Sequence, residues 1–118
     1  MTPELIDHFR NPRHVGELPP PAITVNVENP ICGDRMRLSA RAENGRIHDV
    51  AYKVRGCTAS IAAGSALTEL LLNQPLATLK TLTKDQIDQA LGGLANESKH
   101  AASLCIDAVR ALSIQLGM

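Results

Sequence analysis

Aromatic side chains are nearly absent: 118 residues hold one Tyr, one Phe and no Trp. That removes the stacking platforms on which single-stranded nucleic acid is held. Excess charge is missing too, since twelve Lys and Arg balance twelve Asp and Glu, so no overall field draws the chain to nucleic acid or an anionic membrane. No apolar run reaches the length of a membrane span. Residues 1–10 carry Glu4, Asp7, His8 and Arg10 where a signal peptide needs an apolar core. A cytoplasmic protein that engages neither nucleic acid nor membrane is expected. There is also no Cys-x-x-Cys redox pair, no glycine-rich phosphate loop and no Gly-x-Ser-x-Gly elbow. A Cys57 and His100 pair is the one nucleophile arrangement left for an enzyme, and it has little else to support it.

What is present is an aliphatic core composition. At 118 residues and 12.6 kDa, with 44% hydrophobic residues, the chain can bury a core without staples, and a single domain over residues 1–118 is expected. Thr2-Pro3 opens a helix that stops at Asn11-Pro12. Gly16 and Pro19-Pro20-Pro21 make an extended linker. Ile23, Val25 and Val27 alternate with polar residues, as do Met36, Leu38 and Ala40, and Asn44-Gly45 is a hairpin turn before Ile47, Val50, Tyr52 and Val54; three antiparallel strands follow. After Gly56 the period changes. Residues 58–73 predict a helix whose first half is so poor in bulk that another element can approach it closely. Short helices over 75–82 and from Thr83 precede a last helix, capped by Asn96 or Ser98 and running to about residue 116, with Ala101, Leu104, Cys105, Ala108 and Leu112 on one stripe.

Five residues can carry chemistry. Cys32 and Asp34 flank Gly33, and on an extended chain both side chains leave the same face. Cys57 falls between a strand and a helix start, where free N–H groups favour a thiolate. His100 stands in the first turn of the last helix. Cys105, five residues on, lies about 140° around that helix, so the two cannot point the same way, and its place on the apolar stripe makes a core role at least equal to a ligand role. An odd number of cysteines in a reducing compartment argues for free thiols. Sulfur, imidazole and carboxylate donors suit tetrahedral zinc, and thiolates equally suit iron-sulfur clusters. The donors alone do not choose between these. A hard carboxylate oxygen should hold cluster iron less firmly than sulfur, which fits a site that releases its cargo.

Four blocks carry a resemblance: Ile6-Asp7-His8-Phe9-Arg10-Asn11-Pro12-Arg13-His14-Val15-Gly16, Asn29-Pro30-Ile31-Cys32-Gly33-Asp34-Arg35-Met36-Arg37-Leu38, Gly56-Cys57 with the small-residue helix and Leu67-Thr68-Glu69, and Lys99-His100-Ala101-Ala102. In this order they resemble the iron-sulfur cluster assembly scaffolds, the IscU type and the N-terminal domain of NifU. The resemblance implies an α+β fold with a three-stranded antiparallel sheet and helices packed on it. It also implies a non-enzymatic platform on which a transient 2Fe-2S cluster is built from sulfur delivered by a cysteine desulfurase, then passed to acceptor or carrier proteins. Zn2+ or Fe2+ in the isolated protein and self-association of the loaded form are further expectations. The site carries over to Cys32, Asp34, Cys57 and His100.

The family's third cysteine aligns without gaps on Ala101, and Cys105 comes one turn later. Either Cys105 substitutes for it, as a ligand or as a persulfide acceptor beside Cys57, or the site has two cysteines. Leu94-Ala95-Asn96-Glu97-Ser98 replaces the Leu-Pro-Pro-Val-Lys segment that a dedicated Hsp70 chaperone reads, which puts that partner in doubt. The SufU insertion is missing as well. The alternatives are a zinc-binding, SufU-like sulfur acceptor that stimulates the desulfurase, and a divergent member that binds partners without assembling clusters.

Overall fold

The computed structural model describes every residue, Met1–Met118. The first helix, α1 (Pro3–Arg10), starts where Thr2 accepts a hydrogen bond from the Leu5 amide at 3.0 Å, with Pro3 in the first turn. The chain then runs beside the sheet: Val15 bridges to Tyr52, and the Gly16 amide donates to the Tyr52 carbonyl at 2.8 Å. Arg13 fixes this passage, its guanidinium 2.6 Å from Asp7 and its amide donating to the Ser65 hydroxyl at 2.9 Å.

Three strands follow, β1 (Ile23–Glu28), β2 (Arg35–Glu43) and β3 (Arg46–Arg55), in the antiparallel order β1-β2-β3. Between β2 and β3 only Asn44 and Gly45 intervene, both at positive φ (54° and 75°). That is the two-residue turn whose twist matches the strands. Met36, Leu38 and Ala40 of β2 are buried against the helices, so Arg35, Arg37, Ser39 and Arg41 face the other way.

Helix α2 (Thr58–Leu71) explains its own small residues. Gly64 lies flat against the ring of Tyr52, where an added Cβ would collide with the ring carbons. The Tyr52 hydroxyl donates to the Ile61 carbonyl at 2.7 Å. With no larger aromatic to fill space, the helix packs on the sheet through Ala59, Ala62, Ala63 and Ala66, all buried.

The expected helix over 75–82 shrinks to α3 (Thr78–Thr81), because Pro75 bridges to Arg46 instead. Helix α4 (Lys84–Ala90) opens with the Thr83–Gln86 capping box. A 3₁₀ turn, Asn96–Ser98, precedes the last helix, α5 (His100–Gln115), which therefore begins later than the cap at Asn96 or Ser98 predicts. Arg110 ties α5 to α3 and its exit by donating to the carbonyls of Leu79 and Leu82 at 2.9 and 2.8 Å. No helix is long and apolar enough to cross a membrane.

Candidate metal centre

The β1–β2 connection, the β3–α2 junction and the start of α5 meet at one end of the molecule. Residues 29–34 form a turn, so the shared face that an extended chain would give Cys32 and Asp34 does not apply. Asn29 makes it: its side-chain carbonyl accepts from the amides of Ile31 (2.9 Å) and Cys32 (3.4 Å), its backbone carbonyl accepts from Gly33 (2.8 Å), and its own amide donates to the Asp34 carbonyl (2.8 Å). Gly33 takes a φ of +77°, which glycine alone adopts freely. The turn leaves Cys32 exposed and directs Asp34 inward, only 8% exposed.

Cys57 is the N-cap residue of α2 and is exposed, as its position between strand and helix predicts. Its amide donates to Asp34 Oδ2 at 3.4 Å. Ser60, one turn into α2 and fully buried, donates from its hydroxyl to the same oxygen at 2.7 Å and accepts from the Cys57 thiol at 3.5 Å. Gly56 stands so close that a Cβ there would lie 2.5 Å from Asp34 Cγ. Burial pushes the Asp34 carboxyl up, but the Ser60 hydroxyl, the Cys57 thiol and amide and the nearby His100 outweigh it, and the group ionises below its ordinary value.

His100 is the first residue of α5. Its Nδ1 lies 3.1 Å from the Glu97 carbonyl, and a carbonyl can only accept, so Nδ1 carries the proton. That turns Nε2 to the site, 3.4 Å from Cys57 Sγ and 3.5 Å from Asp34 Oδ2, where it can bind a metal whenever Nδ1 holds the ring's single proton. A carbonyl behind the ring is the usual way a metal-binding histidine is oriented. The donor atoms of Cys32, Asp34 and His100 all lie within 4.8 Å of one another. Around tetrahedral zinc, with bonds of about 2.0–2.3 Å, donors sit about 3.3–3.8 Å apart. Small side-chain adjustments therefore suffice for these residues to share an ion.

Cys105 does not join them. It is fully buried in the core with Ala101, Leu104, Ala108 and Leu112, and burial pushes its thiol up, away from the thiolate form. The expectation that it supplies a third sulfur or accepts a persulfide is thus corrected by geometry: the 140° between positions 100 and 105 puts it on the core stripe. Ala101 is fully buried as well. Sequence reasoning missed Ser60 and Gly56. Ser60 lies one helical turn after Cys57, the sole sequence signal it carries. Nothing local tells that a carboxylate from the β1–β2 turn lies against Gly56.

A model of the NifU-like N-terminal domain matches residues 1–115. The iron-sulfur cluster assembly scaffold protein IscU 1 of Archaeoglobus fulgidus is 36% identical over 107 residues, covering 91% of this chain and 70% of that one. The zinc-dependent sulfurtransferase SufU of Bacillus subtilis is 32% identical over 88 residues, covering 75% of this chain and 59% of that one. Among solved structures, a NifU-like N-terminal protein from Brucella abortus superposes with a TM-score of 0.63 at 19% identity, over 95% of this chain and 78% of that one, a likeness of fold. By sequence and by fold, this chain belongs to the NifU-like N-terminal domain family.

Proposed function

We infer that residues 1–118 act as one scaffold domain on which an iron-sulfur cluster is assembled and from which it is passed on. The observation that carries this is the meeting of Cys32, Asp34, Cys57 and His100 at one exposed end of the fold. Four donors are the number a 2Fe-2S cluster requires. Two thiolates hold the iron firmly, while the oxygen of Asp34 and the imidazole of His100 make up the set and let go more readily. Cys57 is the sulfur acceptor, being exposed and next to His100 Nε2, which takes the thiol proton. Its thiolate attacks the outer sulfur of a persulfide on a cysteine desulfurase. The S–S bond there breaks, its electron pair leaves on the desulfurase cysteine, and Cys57 carries the new persulfide with no net redox change. Anaerobic incubation with ferrous iron, cysteine, a desulfurase and a dithiol reductant, which supplies the electrons that take each persulfide sulfur to sulfide, should give the visible absorbance of a cluster. A colourless, normally folded protein refutes this function.

A second reading is a zinc-dependent sulfur acceptor. The donor spacing of about one tetrahedral ion favours it, as does the likeness to the SufU of Bacillus subtilis. Metal analysis of the protein as isolated separates the two. Stoichiometric zinc with strong stimulation of the desulfurase supports the sulfur acceptor; iron with acid-labile sulfide supports the scaffold.

A further inference from the structure

The face of the sheet turned away from the helices is charged in a lopsided way. At its far end Arg41 stands opposite Asp49, and the two form an ion pair at 2.9 Å. At the end nearest the metal centre, by contrast, Arg35 stands opposite Arg55 and Arg37 opposite Lys53. Residues facing each other across antiparallel strands bring their Cβ atoms to about 4.5–5.5 Å, and like charges there destabilise the sheet. Glu28 lies 3.4 Å from Arg35 and Glu17 lies 2.8 Å from Arg37. Lys53 and Arg55 are exposed, with no carboxylate paired to them. Four cations, Arg35, Arg37, Lys53 and Arg55, against one carboxylate, Glu28, thus line a concavity of about 580 Å³ beside Asn26. The rest of the chain must be net negative, because the whole is neutral. The patch is therefore a local arrangement and not a by-product of composition.

The linker shows why this patch is open. It leaves the β3 edge at Gly16, must reach β1 on the opposite edge, and crosses the outer face, where Glu17 meets Arg37 and Ser39 is fully buried. It covers the middle of the face and leaves the end at Arg35 and Arg55 uncovered. Arg35 follows Asp34 directly, and Arg55 precedes Cys57 by two residues.

We propose that this end of the sheet is a docking surface for an acidic segment of a partner protein, seated over Lys53 and Arg55 beside the two exposed cysteines. Opposite charge is what the face lacks, and a carboxylate-rich segment supplies it to cations that repel one another until it arrives. The inference stands on the sheet and not on cluster chemistry, so a failed reconstitution leaves it intact.

The test is a titration of the metal-free protein with a short peptide of Asp and Glu, followed by NMR. Amide shifts should concentrate on β2 and β3 around Arg35, Arg37, Lys53 and Arg55, and binding should weaken as salt rises. The double variant Lys53→Glu/Arg55→Glu should bind at least about tenfold more weakly. Lys80→Glu/Lys84→Glu, elsewhere on the surface, should bind as the parent does. Charge reversal also turns both like-charged pairs into opposite ones, so the melting temperature should hold or rise. The neutral pair Lys53→Gln/Arg55→Gln gives the same binding comparison without a new charge. Shifts scattered over the surface, unchanged binding by the variants, or a lower melting temperature on reversal overturn the proposal. So does tighter binding of oligothymidylate or of phosphatidylglycerol vesicles than of the peptide.

Discussion

Ser60→Ala removes one oxygen and leaves every proposed ligand in place. In the parent, the Ser60 hydroxyl donates to Asp34 Oδ2 at 2.7 Å inside a buried pocket. A hydrogen bond to a charged group is worth about 1.5–3 kcal/mol, and loss of a partner that orients a ligand lowers metal affinity about 10–100-fold. Zinc affinity should therefore fall by that factor, read by competition with a chromophoric chelator at neutral pH.

The same variant moves the acid limb of stability. Asp34 ionises below its ordinary value in the fold, so its contribution is complete above the unfolded carboxylate pKa and is lost as pH falls through the folded one. Without the Ser60 bond that loss begins at higher pH, visible in melting curves of the metal-free protein taken down the acid range. Zinc affinity within about twofold of the parent, together with an unmoved acid limb, would show that Ser60 does not hold Asp34.

Three further outcomes are expected. Gly56→Ala forces a Cβ to within 2.5 Å of Asp34 Cγ and should destabilise by about 1–3 kcal/mol while weakening metal binding; a variant as stable as the parent by urea titration contradicts the tight fit. In the native protein iodoacetamide should modify Cys32 and Cys57 and spare Cys105, with all three modified in denaturant and counted by mass spectrometry; fast native labelling of Cys105 would contradict its burial. Asp34→Ala removes the hard oxygen ligand and should slow cluster transfer to an acceptor, so an unchanged transfer rate counts against labile ligation.

Much of the fold was legible because the deciding forces are local. Asn44-Gly45 announces its turn, since two positive φ values in a row suit few other pairs. The position of Cys57 at a helix start could be read from the switch of period after Gly56. Even the fate of Cys105 lay in helical arithmetic, which set it on the stripe of Leu104 and Leu112. The build of the turn at residues 29–34 was harder to see: Gly33 marks a place where the chain can bend, but nothing announces that the Asn29 side chain caps two amides itself. Ser60 and Gly56 could not be read at all. Their meaning depends on a carboxylate from the β1–β2 turn, and no pattern within α2 or β3 reports that contact.

Cys32, Cys57 and His100 reach the site from three stretches of chain, 25 residues apart (57 − 32) and then 43 (100 − 57). Anything bonded to all three is a covalent staple across two loops. It would penalise the unfolded chain by the entropy of closing both, much as a disulfide does. Loading would therefore tighten the turn at Asn29 and the start of α5 together, and unloading would loosen them together. The empty protein should exchange amide hydrogens fastest at these two places. Their shared order at a given moment would then report whether cargo is on board.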